Sequence, residues 1–158
     1  MRSMFLLLIL MSRLSAAEPT VGSAAPELSS TTSHNTSDLG PVRLSALRGQ
    51  VVLLDFWAIW CDPCVDAIPH MQALHDAYAA KGLVVVGHID VSSRGLPAFI
   101  AKHRITYPIS VGSDIAGAYG DPDLPHAVLI DREGKIAWRG LPSALTEAQI
   151  EAQLASQP

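Results

Sequence analysis

The chain has 158 residues, 11 basic and 15 acidic side chains, a net charge of −4 and only two cysteines. That length suits one compact domain, since about 100 to 200 residues per domain is usual. The acidic balance, with no long charge run, argues against nucleic acid as a partner, and two cysteines only three apart close too small a loop to staple a fold.

Residues 1–17 read as a secretory signal: Arg2 gives a weakly basic start, Phe5 to Met11 is an unbroken apolar run, and Ser15-Ala16-Ala17 offers small residues for cleavage before Glu18. Seven apolar residues fall well short of the ~20 that span a bilayer. The expectation is therefore an exported protein, periplasmic or in an equivalent compartment and soluble once cleaved. The alternative is membrane association through an uncleaved N-terminus. No cysteine follows the apolar run, which excludes a lipid anchor on cysteine. Without Arg2 and Arg13, nine basic residues face the same 15 acidic ones.

Residues 18–40 are rich in Ser, Thr, Pro, Gly and Ala and show neither helical nor alternating period. They are expected to wrap the domain edge or to stay mobile, with the folded domain over 41–158. Val51 to Trp57 and Leu83 to Asp90 are nearly continuous apolar runs of strand length, as expected where both faces of a sheet are covered. Between them, Val65, Ile68, Met71, Leu74 and Tyr78 recur at three and four residue steps, which predicts a helix over Pro63 to Lys81 ended by Gly82. Pro69 inside it predicts a kink. Strand, helix, strand makes a parallel crossover.

Further along, Leu96 to His103 and Asp114 to Tyr119 read as short helices, with Tyr107-Pro108-Ile109 extended between them. Ala127 to Asp131 and Ile136 to Arg139 read as a hairpin around Arg132-Glu133-Gly134-Lys135. Thr146 to Ala155 reads as a closing helix capped by Thr146.

The two cysteines lie in Trp60-Cys61-Asp62-Pro63-Cys64, directly after the first strand. This spacing lets one thiolate attack a substrate disulfide and the other release the mixed disulfide. Cys61, at the helix N-terminus, is the candidate nucleophile, because unpaired backbone N–H groups and the helix dipole favour its thiolate. Cys64, one turn further in, is the resolving thiol. Asp62 and Pro63 are candidates for tuning the redox poise. The negative charge of Asp62 disfavours the Cys61 thiolate, so the pair is expected to act as a reductant.

The segment from Leu53 to Cys64 is similar to the active-site segment of the thioredoxin superfamily, and more narrowly of the exported TlpA/ResA/DsbE-like thioredoxins. Val21 to Leu28 and Val42 to Gly49 resemble that family's N-terminal extension, and Tyr107-Pro108-Ile109 and Leu124 to Gly134 resemble its later segments. The resemblance begins near residue 21 and runs to the C-terminus. It implies an α/β, thioredoxin-like three-layer sandwich, a mixed central sheet flanked by helices with an N-terminal extension and a central insert. It also implies a thiol:disulfide oxidoreductase with no cofactor beyond the Cys61–Cys64 disulfide, acting on protein disulfide or dithiol clients. A membrane electron donor and service to cytochrome c maturation are further implications, and a monomer is expected.

Pro125 falls where the family has a cis-proline facing the active site, so Trp60, Leu124 and Pro125 are candidate client-binding residues. Asp55 stands at the position of thioredoxin's buried carboxylate, and burial would raise its pKa and let it exchange a proton with Cys64. The alternative is a solvated carboxylate. Two departures bear on mechanism: Ala67 and Val91 stand where many relatives are acidic. Asp66 and Asp90 are immediate neighbours of those positions, but a one-residue shift changes facing. His88 and His126 allow a competing reading, a metal-binding chaperone that uses Cys61, Cys64 and a histidine. The residue reading itself assigns no metal site.

Overall fold

The computed structural model describes residues 18–28, 30–36, 40–90, 94–112 and 115–156. The leader expected over 1–17, Val91, and Asp114 at the expected start of a helix lie outside the described residues. In chain order the elements are β1 (Thr32–His34), β2 (Val51–Phe56), α1 (Asp62–Tyr78), β3 (Leu83–Ile89), α2 (Leu96–His103), β4 (Ile109–Val111), α3 (Ile115–Ala118), β5 (His126–Ile130), β6 (Ile136–Gly140) and α4 (Glu147–Ala155).

The strands form one six-stranded mixed sheet in the order β1-β4-β3-β2-β5-β6. β2, β3 and β4 run parallel, and β1, β5 and β6 join antiparallel. All six residues of β2 are buried, because the strand has sheet neighbours on both sides and cover on both faces.

Strand alternation divides the core. Val51, Leu53, Val85 and Ile89 face α1, α2 and α4, in a layer with Cys61, Cys64, Ile68, Met71, Leu96, Ile100, Tyr107 and Ile150. Val52, Leu54, Phe56, Val86, Val128 and Ile130 face the opposite layer. Among the described residues that second layer holds one short α-helix, α3, and is completed by Ala25, Leu28 and Leu44 from the N-terminal segment. The helices therefore flank the sheet unequally, and a strap of chain covers what a helix otherwise would.

The strap also supplies β1, pairing Thr32, Ser33 and His34 with Val111, Ser110 and Ile109. The sequence carries no signal for this strand, because three polar residues at a sheet edge need no apolar alternation. α1 passes through Pro69 as a single helix, although Pro69 cannot donate to the preceding turn. A short turn, Ala79–Lys81, follows it and ends at Gly82 with φ of 98°, a left-handed conformation that suits glycine. Among the described residues no helix is long and apolar enough to cross a membrane.

Candidate active site

β2 delivers the site. After Phe56 the chain leaves the sheet through Trp57 to Trp60, and Cys61 becomes the N-cap of α1. The Cys61 carbonyl accepts from the amides of Cys64 and Val65, each at 3.0 Å, which sets the first helical turn directly behind the thiol. Pro63 fits there because the first-turn N–H groups of a helix lack partners in any case. Cys61 and Cys64 are joined as a disulfide. Cys64 is fully buried and Cys61 retains 6% exposure. Cys61 is the more accessible of the two to an incoming sulfur, as a nucleophile and resolver pair requires. Asp62 and Pro63 are exposed.

Asp55 lies in β2, the strand that leads to this pair. Its odd position in β2 turns it to the α1 face with Leu53 and Trp57, the layer that holds both cysteines. It is 3% exposed, and its Oδ1 has no hydrogen-bond partner. Burial pushes its carboxyl up to about 8. A carboxyl in that range exchanges protons near neutral pH, where an ordinary aspartate is already ionised.

The client-facing candidates sit on the rim. Trp60 is 74% exposed. The Leu124–Pro125 bond is cis, and Pro125 immediately precedes β5, whose His126 pairs with Phe56 at the end of β2. A cavity of about 140 Å³ opens here, lined by Trp60, Ile59, Leu124, His88 and Asp90 among others.

A protein-family model described as the AhpC/TSA family matches residues 21–139. The chain belongs to the AhpC/TSA family. Within it, the chain is 31% identical over 116 residues to the thiol-disulfide oxidoreductase ResA of Bacillus thuringiensis (strain Al Hakam), a match covering 72% of this chain and 66% of that relative. It thus spans just under two thirds of that relative's length. To the ResA of Oceanobacillus iheyensis it is 32% identical over 137 residues, covering 85% and 71%. A solved structure of a candidate thiol:disulfide interchange protein DsbE from Chlorobium tepidum superposes with a TM-score of 0.76 at 31% identity, covering 87% of this chain and 100% of that one. The fold is thioredoxin-like, a mixed six-stranded sheet flanked by helices.

Other residues of this AhpC/TSA-family chain lie where the sequence left matters open. Asp66 is exposed on α1 and lines a separate shallow pocket with Pro63, Ala67 and His70. Asp90, by contrast, lines the cavity beside Trp60. Its Oδ1 receives a hydrogen bond from His88 Nε2 at 3.0 Å, while His88 Nδ1 and the Ser110 hydroxyl lie 3.2 Å apart. Burial lowers the His88 pKa, and Asp90 only partly opposes this, so His88 holds Asp90 in place as a neutral ring. Both His88 nitrogens are thereby engaged. His126 Nε2 is buried without a partner, and among the described residues no three His, Cys, Asp or Glu side chains converge as a metal cluster.

Tyr107 and Gly87 are further members of the site that sequence reasoning missed. A Cβ on Gly87 would approach Trp57 Nε1 and Ile109 Cδ1 to 2.8 Å, so the sheet admits only glycine between Asp55 and Ile109 without displacement. A glycine inside an otherwise apolar run was the available signal.

Proposed function

We propose that the chain is an exported thiol-disulfide oxidoreductase that reduces protein disulfides through Cys61 and Cys64. The observation that carries this reading is the disulfide at the N-terminus of α1, with a buried carboxyl, Asp55, in the strand that leads to it. In the dithiol form, the Cys61 thiolate attacks one sulfur of the client disulfide and expels a client thiolate, leaving a mixed disulfide. The Cys64 thiol then passes its proton to Asp55, and its sulfur attacks Cys61 Sγ. The second client thiolate leaves, two electrons have moved to the client, and Cys61–Cys64 is the oxidised product. Trp60, Leu124 and Pro125 form the client surface.

Export is supported by the leader pattern of residues 1–17. The names of the ResA relatives support the reaction class. A membrane electron donor and service to cytochrome c maturation are supported by resemblance alone. The reductant direction is supported by Asp62, exposed in the first helical turn beside Cys61, whose negative charge opposes the thiolate and so makes the disulfide harder to reduce.

A redox titration against glutathione or dithiothreitol tests this reading. The midpoint is expected nearer the ~−270 mV of a thioredoxin than the ~−120 mV of a strong oxidant. A midpoint at the oxidising end would reverse the direction, and folded protein with no exchange activity would remove the enzyme class. Asp55→Asn is expected to slow mixed-disulfide resolution at neutral pH by about 10²-fold or more.

A further inference from the structure

Among the described residues, four buried side-chain atoms on the site face have no hydrogen-bond partner: Asp55 Oδ1, Trp57 Nε1, Tyr107 Oη and His75 Nδ1. Three of these side chains meet around one backbone position. Asp55 pairs in register with Gly87, and Gly87 with Ile109. A Cβ on Gly87 would meet Trp57 Nε1 at 2.8 Å and Tyr107 Cε2 at 3.2 Å. His75 reaches the same group from α1, its ring edge-on to Tyr107 with 6.2 Å between centroids. Buried polar atoms are rarely left unpaired, and each orphan costs about 1–3 kcal/mol. Here the chemistry is complementary: an indole N–H that only donates, a phenol that donates or accepts, and a carboxyl that accepts when ionised. Such groups, too far apart to bond directly, are satisfied by an internal water with two or more polar partners.

We propose that Tyr107 is a positioning residue for Asp55: through an internal water shared with Trp57 Nε1, its hydroxyl donates towards the Asp55 carboxylate and sets where that carboxylate gains its proton. The proposal rests on the reading that Asp55 serves Cys64. In that step the Cys64 S–H bond breaks, an O–H bond forms on Asp55, and the electron pair stays on sulfur for the attack on Cys61 Sγ. By stabilising the ionised carboxyl, Tyr107 increases the fraction able to accept that proton at neutral pH, against the effect of burial. The Tyr107 hydroxyl itself does not ionise there, since burial and then the Asp55 charge both raise its pKa.

The titratable groups of the elements packed on this face are few. α1 contributes Cys61, Cys64, His75 and Tyr78, and the Tyr78 hydroxyl is turned away to Glu147 and Glu151 of α4, at 2.7 and 3.1 Å. α2 contributes His103, which stacks on Phe99, itself 5.6 Å from Trp57. Of Tyr78 and Tyr107, it is Tyr107 that feels the Asp55 charge.

The test is a carbon-detected NMR titration of the Asp55 carboxyl in the oxidised protein, repeated in Tyr107→Phe. Loss of a hydrogen bond to a charged group is expected to raise the midpoint by about one to two pH units, and the pH profile of mixed-disulfide resolution should move by the same amount. Tyr78→Phe should leave the midpoint in place. A Tyr107→Phe midpoint equal to that of the wild type or of Tyr78→Phe overturns the proposal. Should Tyr107→Phe not fold, the wild-type Tyr107 Cζ resonance must titrate with the Asp55 midpoint, and a flat Tyr107 signal overturns it equally. Because the carboxyl is read without a client, failure of this coupling and failure of the exchange activity are separate results.

Discussion

Asp55 links chemistry to stability through one proton. Its folded pKa, raised by burial to about 8, stands above the ~3.9 of an exposed aspartate. Between those values the native state holds a proton that the unfolded chain releases, so stability is full below the lower value and falls as pH rises through the upper one. Asp55→Asn removes the penalty. The variant is therefore expected to be more stable than the wild type at pH 8, by on the order of several kcal/mol, and to lose that advantage by pH 4, as thermal unfolding at the two pH values would show. A difference independent of pH would mean that the carboxyl is not held protonated. At this scale the sequence was only partly legible. A carboxylate in a wholly apolar strand is conspicuous, and so are two cysteines three apart. Tyr107 and Gly87 look like ordinary packing in one dimension, because their convergence on Asp55 depends on the register of β2, β3 and β4.

At the level of elements, apolar periodicity located the long pieces and failed where geometry is not periodic. α1, α2 and the β5–β6 hairpin fall close to their expected bounds because each buries one regular face. Asp90 shows the limit. β3 ends at Ile89, so alternation no longer fixes facing one residue later, and Asp90 reaches the cavity wall through its bond to His88. α4 is placed by its cap: the Thr146 side chain accepts from the Gln149 amide while the Gln149 side chain accepts from the Thr146 amide. Thr146→Ala is expected to cost about 1 kcal/mol, seen as a lower denaturant midpoint and faster amide exchange in the first turn of α4. Since Ile150 of α4 packs in the same layer as the cysteines, loosening there should reach the site face but leave the opposite layer unchanged.

For the whole molecule, the unequal cover of the sheet gives the N-terminal strap its weight. Glu27 fastens it, its carboxylate accepting from the amides of Leu28, Leu44 and Ser45 at 2.8, 2.6 and 2.9 Å. Burial alone would raise its pKa, but these bonds together with the Ser45 side chain hold it below the usual range. Its contribution is thus present above the unfolded pKa and lost as pH falls through the folded one. Glu27→Ala is expected to lower stability by roughly 1.5–3 kcal/mol at neutral pH, with exchange of the Leu44 and Ser45 amides accelerated first, and unaltered exchange there would show that the strap is held by other contacts. The strap also touches both rims of the sheet. Gly22, Ser23 and Ala25 bond to Ile136 and Gly134 at the start of β6, and Thr32 to His34 complete the far side against β4. Exposed strand edges are templates for joining other chains. One stretch of backbone therefore borders the sheet on both sides, and a proteolytic nick between Ala25 and Thr31 would uncouple the two contacts, leaving each short piece to hold its own border and exposing strand edge wherever one lets go.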